Sequence, residues 1–420
     1  MPRKMKESGV EWLGQIPEGW GVNLVFQVAD QVKSKNEGLR EQNLLSLSYG
    51  KIKRKSIETV GGLLPQSFDG YNIIEADDIV LRLTDLQNDQ HSLRVGISSE
   101  RGIITSAYTT LRPRTRETAQ YLYYSLHAFD LVKGFYGMGS GVRQGLNYDE
   151  VKLIKLPRPS AAEQQQIAAF LDERCAKIDG MIAEAKASIE DYNIYRQDVI
   201  DCLANFGSCS INRVKVRDSG NVWLNKVPDA WDVLKIGLIF KEHCRAPKDE
   251  DIPLSLSQKD GLIPTDLMQE HSLKTSTYEN WKRVLPDDLV LNRFKAHLGV
   301  FCASQYTGMV SFHYGVFVAR RPLSVKYYEY LFHSTPYRRM FAELSNGITV
   351  GLQNLSNSSF YSARCVCPPI EDQRRIAEAL DEKCAAIDKL VGEKEALIAD
   401  LEAYKKSLIF ETVTGKLEVA

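Results

Sequence analysis

The chain has 420 residues, 44% of them hydrophobic and 25% charged, with a net charge of −1. Those values describe an ordinary globular protein long enough for two or three domains with their own cores. No apolar run approaches the roughly 18 residues of a membrane span, and no apolar region follows the basic residues 1–6 as in a signal peptide, so a cytoplasmic protein is expected.

In chain order, the first recognisable stretch is Ser8-Gly9-Val10-Glu11-Trp12-Leu13-Gly14-Gln15-Ile16-Pro17-Glu18-Gly19-Trp20. It returns as Ser219-Gly220-Asn221-Val222-Trp223-Leu224-Asn225-Lys226-Val227-Pro228-Asp229-Ala230-Trp231, and the two copies hold four of the five tryptophans. Both read as hydrophobic clasps at the start of a domain. Short β-like runs follow at 78–81 and 102–105, answered by 288–291 and 308–311. Each half then shows a helical pattern rich in Tyr and Leu, at 121–135 and 327–344, and Pro336 is expected to bend or split the second. A glycine-bearing loop comes next, Gly139 to Leu146 and Ser345 to Leu352, before the prolines 157/159 and 368/369.

After those prolines the repeat is strongest. Ten of the 17 pairs from Glu163/Asp372 to Asp179/Asp388 are identical. Apolar residues recur at alternating spacings of three and four: Ile167, Leu171, Cys175, Ile178 and Ile182 in one copy, Ile376, Leu380, Cys384, Ile387 and Val391 in the other. This is the seam of a long amphipathic helix meeting another helix. About 40 helical residues make a rod of roughly 60 Å, too long for one compact domain. Each rod needs a partner for its stripe, and the other rod is the nearest candidate.

The order is therefore clasp, head, rod, twice. The expected divisions are residues 1–160, 161–206 (rod), 207–369, 370–413 (rod) and a tail at 414–420. Residues 21–160 and 232–369 each carry an excess of three positive charges, which leaves −7 for everything else. Slightly basic heads on acidic rods fit heads that meet an acidic polymer. Catalysis finds little support. The phosphate-loop pattern, a His/Cys cluster at zinc spacing and the Asn/Asp-Pro-Pro-aromatic motif of amino-methyltransferases are all missing from the sequence. Asp77-Asp78 and Asp287-Asp288 recur at matching places and read as polar turns that start a strand. The eight cysteines form no framework: Cys175 and Cys384 read as small hydrophobes of the seam, and Cys365 and Cys367 have no suitably spaced partner.

Taken together, the tandem Trp-Leu…Pro…Trp openings, the Gly-x-x-x-Gly-Leu loops and the Pro…Glu/Asp-Gln…Ile-Ala…Leu-Asp rod starts resemble the DNA-specificity subunits of type I restriction–modification systems. The resemblance covers nearly the whole chain. It implies an α+β fold of tandem duplicated architecture: two globular α/β target-recognition domains joined by two long helices as an antiparallel coiled coil, with pseudo-two-fold symmetry. It also implies a non-catalytic subunit that reads a split duplex DNA target. Its expected partners are two methyltransferase subunits, which carry S-adenosylmethionine, and motor-nuclease subunits. The competing reading is a coiled-coil scaffold with two protein-binding heads.

Candidate DNA contacts follow from charge and loop position. Lys51, Lys53, Arg54 and Lys55 form the densest basic cluster and suit backbone phosphates. Arg82, Arg143 and Gln144 lie in or beside polar loops of the first head. In the second head the candidates are Lys259, Lys282, Arg283, Asn292, Arg293, Lys295, His297 and Thr349. Arginine and asparagine can read base edges with paired hydrogen bonds. Tyr108 and Tyr314 occupy matching positions, where core packing competes with base contact.

Overall fold

In the computed structural model the described residues are 3–56, 67–87, 89, 93–138, 145–210, 214–258, 261–268, 278, 280–345 and 354–419. The chain divides into two units, Met1–Ala185 with Ala396–Ala420, and Lys186–Glu395. Two long helices, Ala161–Phe206 and Ile370–Val413, each contribute one half to each unit.

The first long helix starts where the sequence supplies a capping box. Ser160 Oγ accepts from the Glu163 amide at 3.3 Å, and the Glu163 carboxylate accepts from the Ser160 amide at 3.1 Å. Pro159 lies just before it, and the Gln164 side chain returns a bond to the Pro159 carbonyl at 3.0 Å. Gln373 does the same for Pro368 at 2.8 Å in the second helix. Gly207 and Gly415 end the two helices with φ of +69° and +74°, a left-handed turn that a side chain would strain.

In the first unit, the head carries a four-stranded antiparallel sheet in the order Ala29–Gln31, Thr109–Pro113, Ile79–Leu81, Val95–Ile97. Beside it stand the hairpin Leu45–Ser48 with Lys51–Arg54 and the pair Asn72–Ile74 with Gly102–Ile104. The head helix, Ala119–Leu131, buries one face on the sheet through Leu122, Leu126 and Phe129. Its other face, Tyr121, Tyr124 and Ala128, packs against Ile167, Leu171, Cys175, Ile178 and Ile182, together with Leu408, Ile409 and Val413. Burying a side chain such as Leu171 fully is worth about 1.5–3 kcal/mol.

The second unit repeats this plan. Its sheet runs Phe240–Glu242, Tyr314–Ala319, Leu289–Asn292, Phe301–Ala303. A second sheet orders Gly261–Pro264, Ile252–Ser257, Gly308–Val310 and Lys282–Val284, with one parallel pairing between Ile252–Ser257 and Gly308–Val310. The helical pattern splits at Ser334 into Val325–His333 and Thr335–Leu344, with Pro336 in the first turn of the second helix, where its missing N–H costs nothing. Ile376, Leu380 and Cys384 pack here with Val199, Ile200, Leu203, Tyr327 and Tyr330.

The rods run antiparallel within each unit. In the first, Lys405 donates to Asp179 at 2.6 Å, while Glu163 and Gly415 both meet Trp20. In the second, Arg196 approaches Asp388 at 3.6 Å, and Gly207 lies beside Ile376. The seam differs from the sequence expectation in one respect. Its buried ends face a head helix as well as the other rod, and Ile387 is buried but Val391 only half buried. No residue from 186 to 198 or from 388 to 407 is buried.

Each clasp holds the start of one rod and the end of the other. Trp20 is buried and donates to Glu163 at 3.3 Å, with Arg3 stacked 5.1 Å over its ring and paired to the same carboxylate. Burial alone would push Glu163 up, but Arg3, the Ser160 amide and Trp20 more than reverse this and hold it at about 2. Trp231 packs against Gly207 in the second clasp, where Asp372 pairs with Arg375 at 2.7 Å instead.

Candidate nucleic-acid interface

Both heads build one local arrangement at the end of the central strand of the main sheet. The strand starts at a tight turn. Asp77 and Asp287 take φ of +72° and +65°, and their amides donate to the Ser98 and Ser304 carbonyls at 2.8 and 2.9 Å. Asp78, 1% exposed, accepts from the Glu75 amide at 2.8 Å and from Arg112 at 2.8 and 2.6 Å. Asp288 accepts from the Leu285 amide at 2.8 Å and pairs with Arg245. These carboxylates close the polar turn that starts each strand, as the sequence led one to expect, and each also pairs with an arginine.

At the other end the strand opens into a loop. Arg82 and Asn292 occupy the same place: their amides donate to the Arg94 and Val300 carbonyls at 2.9 and 3.1 Å. One residue later, the Leu83 and Arg293 carbonyls accept from the Leu146 and Leu355 amides at 2.9 and 3.1 Å. In the sequence Leu146 is the last residue of the first glycine-bearing stretch, and Leu355 stands three residues after the second. Strand-exit loop and matched leucine therefore meet at the same edge in each head.

The two heads hold that edge by opposite chemistry. In the first, Arg94 is fully buried and its guanidinium faces a ring of carbonyls. It donates to Thr84 at 3.0 Å, to Arg82 and Asp85 at 3.5 and 3.4 Å, to Asp89, and to the Tyr136 hydroxyl at 3.2 Å. The Arg94 amide donates to Asp130 at 2.6 Å. Burial pushes that carboxyl up to about 6 against the pull of Arg94 and Lys133. In the second head a carboxylate is the centre. Glu242 accepts from Lys282 at 2.8 Å, from Arg293 at 2.6 Å and from Asn357. Burial pushes Glu242 up, but these donors overcome it and leave the group below the usual carboxylate range.

The sequence-predicted contacts sort into distinct environments. Lys53, Lys55 and Lys295 are exposed. Lys51 is exposed but lies 3.7 Å from Asp179 of the rod, and Arg54 is paired with Glu100. Arg82 sits 3.9 Å from Asp89. Lys282 and Arg283 point inward, to Glu242 and to Asp251 at 3.0 Å. Asn292 caps its own loop by accepting from the Phe294 amide at 3.1 Å. Tyr108 and Tyr314 are half buried against the heads' cores, and His297 has a buried Nδ1 without a partner among the described residues. Arg143, Gln144, Lys259 and Thr349 lie outside the described residues.

Sequence reasoning missed Arg94 and Glu242. The signal available was the repeat itself: Arg94 stands where the second head has Val300, and Glu242 where the first has Gln31. Among the described residues, no group of three or more His, Cys, Asp or Glu is placed to hold a metal ion. No described helix is long and apolar enough to cross a membrane.

With this geometry in hand, known proteins provide a reference. No protein-family model matches the chain. A putative type I restriction enzyme MjaX specificity subunit of Methanocaldococcus jannaschii is 21% identical, across 97% of this chain and 96% of its own length. Along nearly its whole length this chain is similar to a type I restriction enzyme specificity subunit. A solved structure described as the basis of complex assembly and conformational transition of the type I R-M system shares the fold. Its TM-score is 0.65 at 14% identity, over 96% of this chain and 99% of that one. The likeness to specificity subunits thus spans both heads and both rods rather than one domain.

Proposed function

We propose that the chain is the DNA-specificity subunit of a type I restriction–modification complex. Each head reads one half of a bipartite, asymmetric duplex target, and the rods fix the unread gap between the halves. The heads correspond to residues 1–160 and 207–369, and the rods to 161–206 and 370–413. The subunit carries no catalysis. It positions two adenine methyltransferase subunits, which bind S-adenosylmethionine, and motor-nuclease subunits on the DNA, in the cytoplasm.

The observation that carries this reading is a duplicated frame whose heads share a topology yet hold the same strand-exit loop with unlike residues. Two copies built for one ligand would keep one set of side chains. Two heads reading different half-sites must diverge at the reading edge. Arg82, Arg143 and Gln144 in the first head, and Asn292, His297, Lys259 and Thr349 in the second, are the contacts proposed for bases. Lys51, Lys53, Arg54, Lys55 and Lys295 are proposed for phosphates. Lys282, Arg283, Arg293, Tyr108 and Tyr314 act by shaping the loops.

The test is methylation-sensitive sequencing of DNA from cells that express the companion methyltransferase with and without this chain. A split adenine-methylated motif that depends on the chain is the expected result. The absence of any such motif, with both proteins soluble and associated, would favour a scaffold. Inserting a helical turn near Ala185 together with one near Leu397 should change the gap and leave both half-sites intact.

A further inference from the structure

In the second head the central strand and its neighbour end together, at the register pair Asn292 and Tyr314. Two loops leave from that pair. One carries Phe294, and the other is the turn Ser311-Phe312-His313-Tyr314, closed by the Tyr314 amide on the Ser311 carbonyl at 3.1 Å. The His313 ring lies 3.8 Å from the Phe312 ring and 5.5 Å from the Phe294 ring, centre to centre. Three aromatic side chains therefore bridge the loops, yet Phe312 is 53% exposed and Phe294 38% exposed. No core cluster among the described residues includes them. Lys282 steadies the same turn by donating to the Tyr314 carbonyl at 2.7 Å, and the exposed Lys295 follows Phe294 directly.

The first head has the same turn without the rings. The Tyr108 amide closes it on Thr105 at 3.1 Å, and Ser106 and Ala107 stand where the second head has Phe312 and His313. Thr84 stands in place of Phe294. The rings thus belong to one head only, on the edge where the heads' chemistry parts.

We propose that Phe294, Phe312 and His313 form an apolar platform with which the second head contacts the bases of its half-site in duplex DNA. This rests on the specificity-subunit reading. In a duplex, thymine presents a methyl group in the major groove, and a base offers its flat π-face where an apolar wedge opens a base step; both pair well with exposed aromatic rings. The neighbouring Lys295 supplies the charge that would hold the phosphate backbone beside such a contact. Because the rings are held against one another, little side-chain freedom is lost on binding. The second half-site is thereby read through apolar contact as well as polar groups, whereas the first head has no rings at this edge and reads through polar groups alone.

The experiment uses the complex assembled with its methyltransferase subunits and a duplex carrying the target mapped by sequencing. Affinity is measured by fluorescence anisotropy over a range of salt. Phe312→Ser and Phe294→Thr, which install the first head's residues, should each weaken binding by about 10- to 100-fold. The slope of log affinity against log salt should not change, since no phosphate contact is lost. Phe312→Trp should bind like the native protein, and Lys295→Gln should reduce the slope. Replacing each thymine of the second half-site by uracil separates the two base chemistries: loss with the native complex identifies the methyl group, and no loss identifies the ring face. Native affinity in both substituted complexes would overturn the platform. So would a failure of Phe312→Ser to assemble with its partners, which would make the rings a subunit contact. If the native complex binds no mapped target at all, the specificity reading itself fails.

Discussion

The two heads solve one problem with opposite charges. Each must hold a loop at the end of a buried strand, and each has backbone groups there that the sheet no longer satisfies. The first head places a buried guanidinium among carbonyl oxygens, with Arg94 as the hub. The second places a carboxylate among cationic and amide donors, with Glu242 as the hub. The frame around the hubs is conserved between the repeats in detail, down to the matched Leu146 and Leu355 amide bonds. The comparison teaches that divergence is concentrated where the loop is shaped, while the attachment of the loop to the sheet is kept.

Removing the first hub should have the largest effect. Arg94→Met keeps an apolar stem but leaves the carbonyls of Thr84, Asp85 and Asp89 without their buried donor. The expected cost is about 3–5 kcal/mol, on the scale of breaking a buried charged network. Thermal unfolding of the assembled complex measures it. In methylation sequencing, recognition of one half-site should relax while the other stays intact. Equal damage to both half-sites would show that Arg94 supports the whole frame.

Glu242→Gln is the matching change in the second head. It leaves Lys282 and Arg293 facing a neutral acceptor, at an expected cost of about 2–3 kcal/mol. The effect should fall on the other half-site. Its pH dependence has a definite sign. Glu242 is held below the usual carboxylate range, so its contribution is present above the unfolded value and lost as pH falls through the lower folded one. The Gln variant should therefore lose the acid-side decline that the native head shows.

How far the sequence carried the argument depends on the range of each interaction. The rods were legible because seam spacing is a local property repeated over many turns, and the clasps because tryptophans are few and their order recurs. The turns at Asp78 and Asp288 were legible for the same reason: each carboxylate bonds an amide three residues away. Glu242 was not legible, since its partners lie 40, 51 and 115 residues further on and only the folded sheet gathers them. Lys282 and Arg283 illustrate the same limit from the other side. Counted along the chain the two cations read as a surface for DNA, yet the structure turns both inward, to the half-buried Glu242 and the buried Asp251. Charge counted along the chain does not reveal which charges are already neutralised.

Asp130 provides a smaller test with the reverse sign. Burial raises its folded value to about 6, from 3.8. Its favourable contribution is then complete below the lower figure and declines as pH rises through the higher one. Asp130→Asn keeps an acceptor for the Arg94 amide and removes the buried charge. The variant should be flatter over that window and more stable at neutral pH by about 1–2 kcal/mol, the loss of a counter-charge near Arg94 offsetting part of the gain. A stability curve that still falls between those values would place the titration elsewhere.

The smallest effect is expected where the repeats differ in the clasps. In the first, Glu163 joins Trp20, Arg3 and the Ser160 amide, whereas in the second Asp372 turns to Arg375. Glu163→Gln keeps the side-chain length and can still accept from one donor, so the loss should be about 1 kcal/mol, discounted because the carboxylate is one-third exposed. Since its folded value is about 2, that contribution is present above the unfolded carboxylate range and disappears as pH falls toward 2. Asp372→Asn at the second clasp breaks an exposed pair with Arg375, so it should cost less still. If both changes cost the same, the clasps are equivalent in strength, and the asymmetry between the units is confined to the heads.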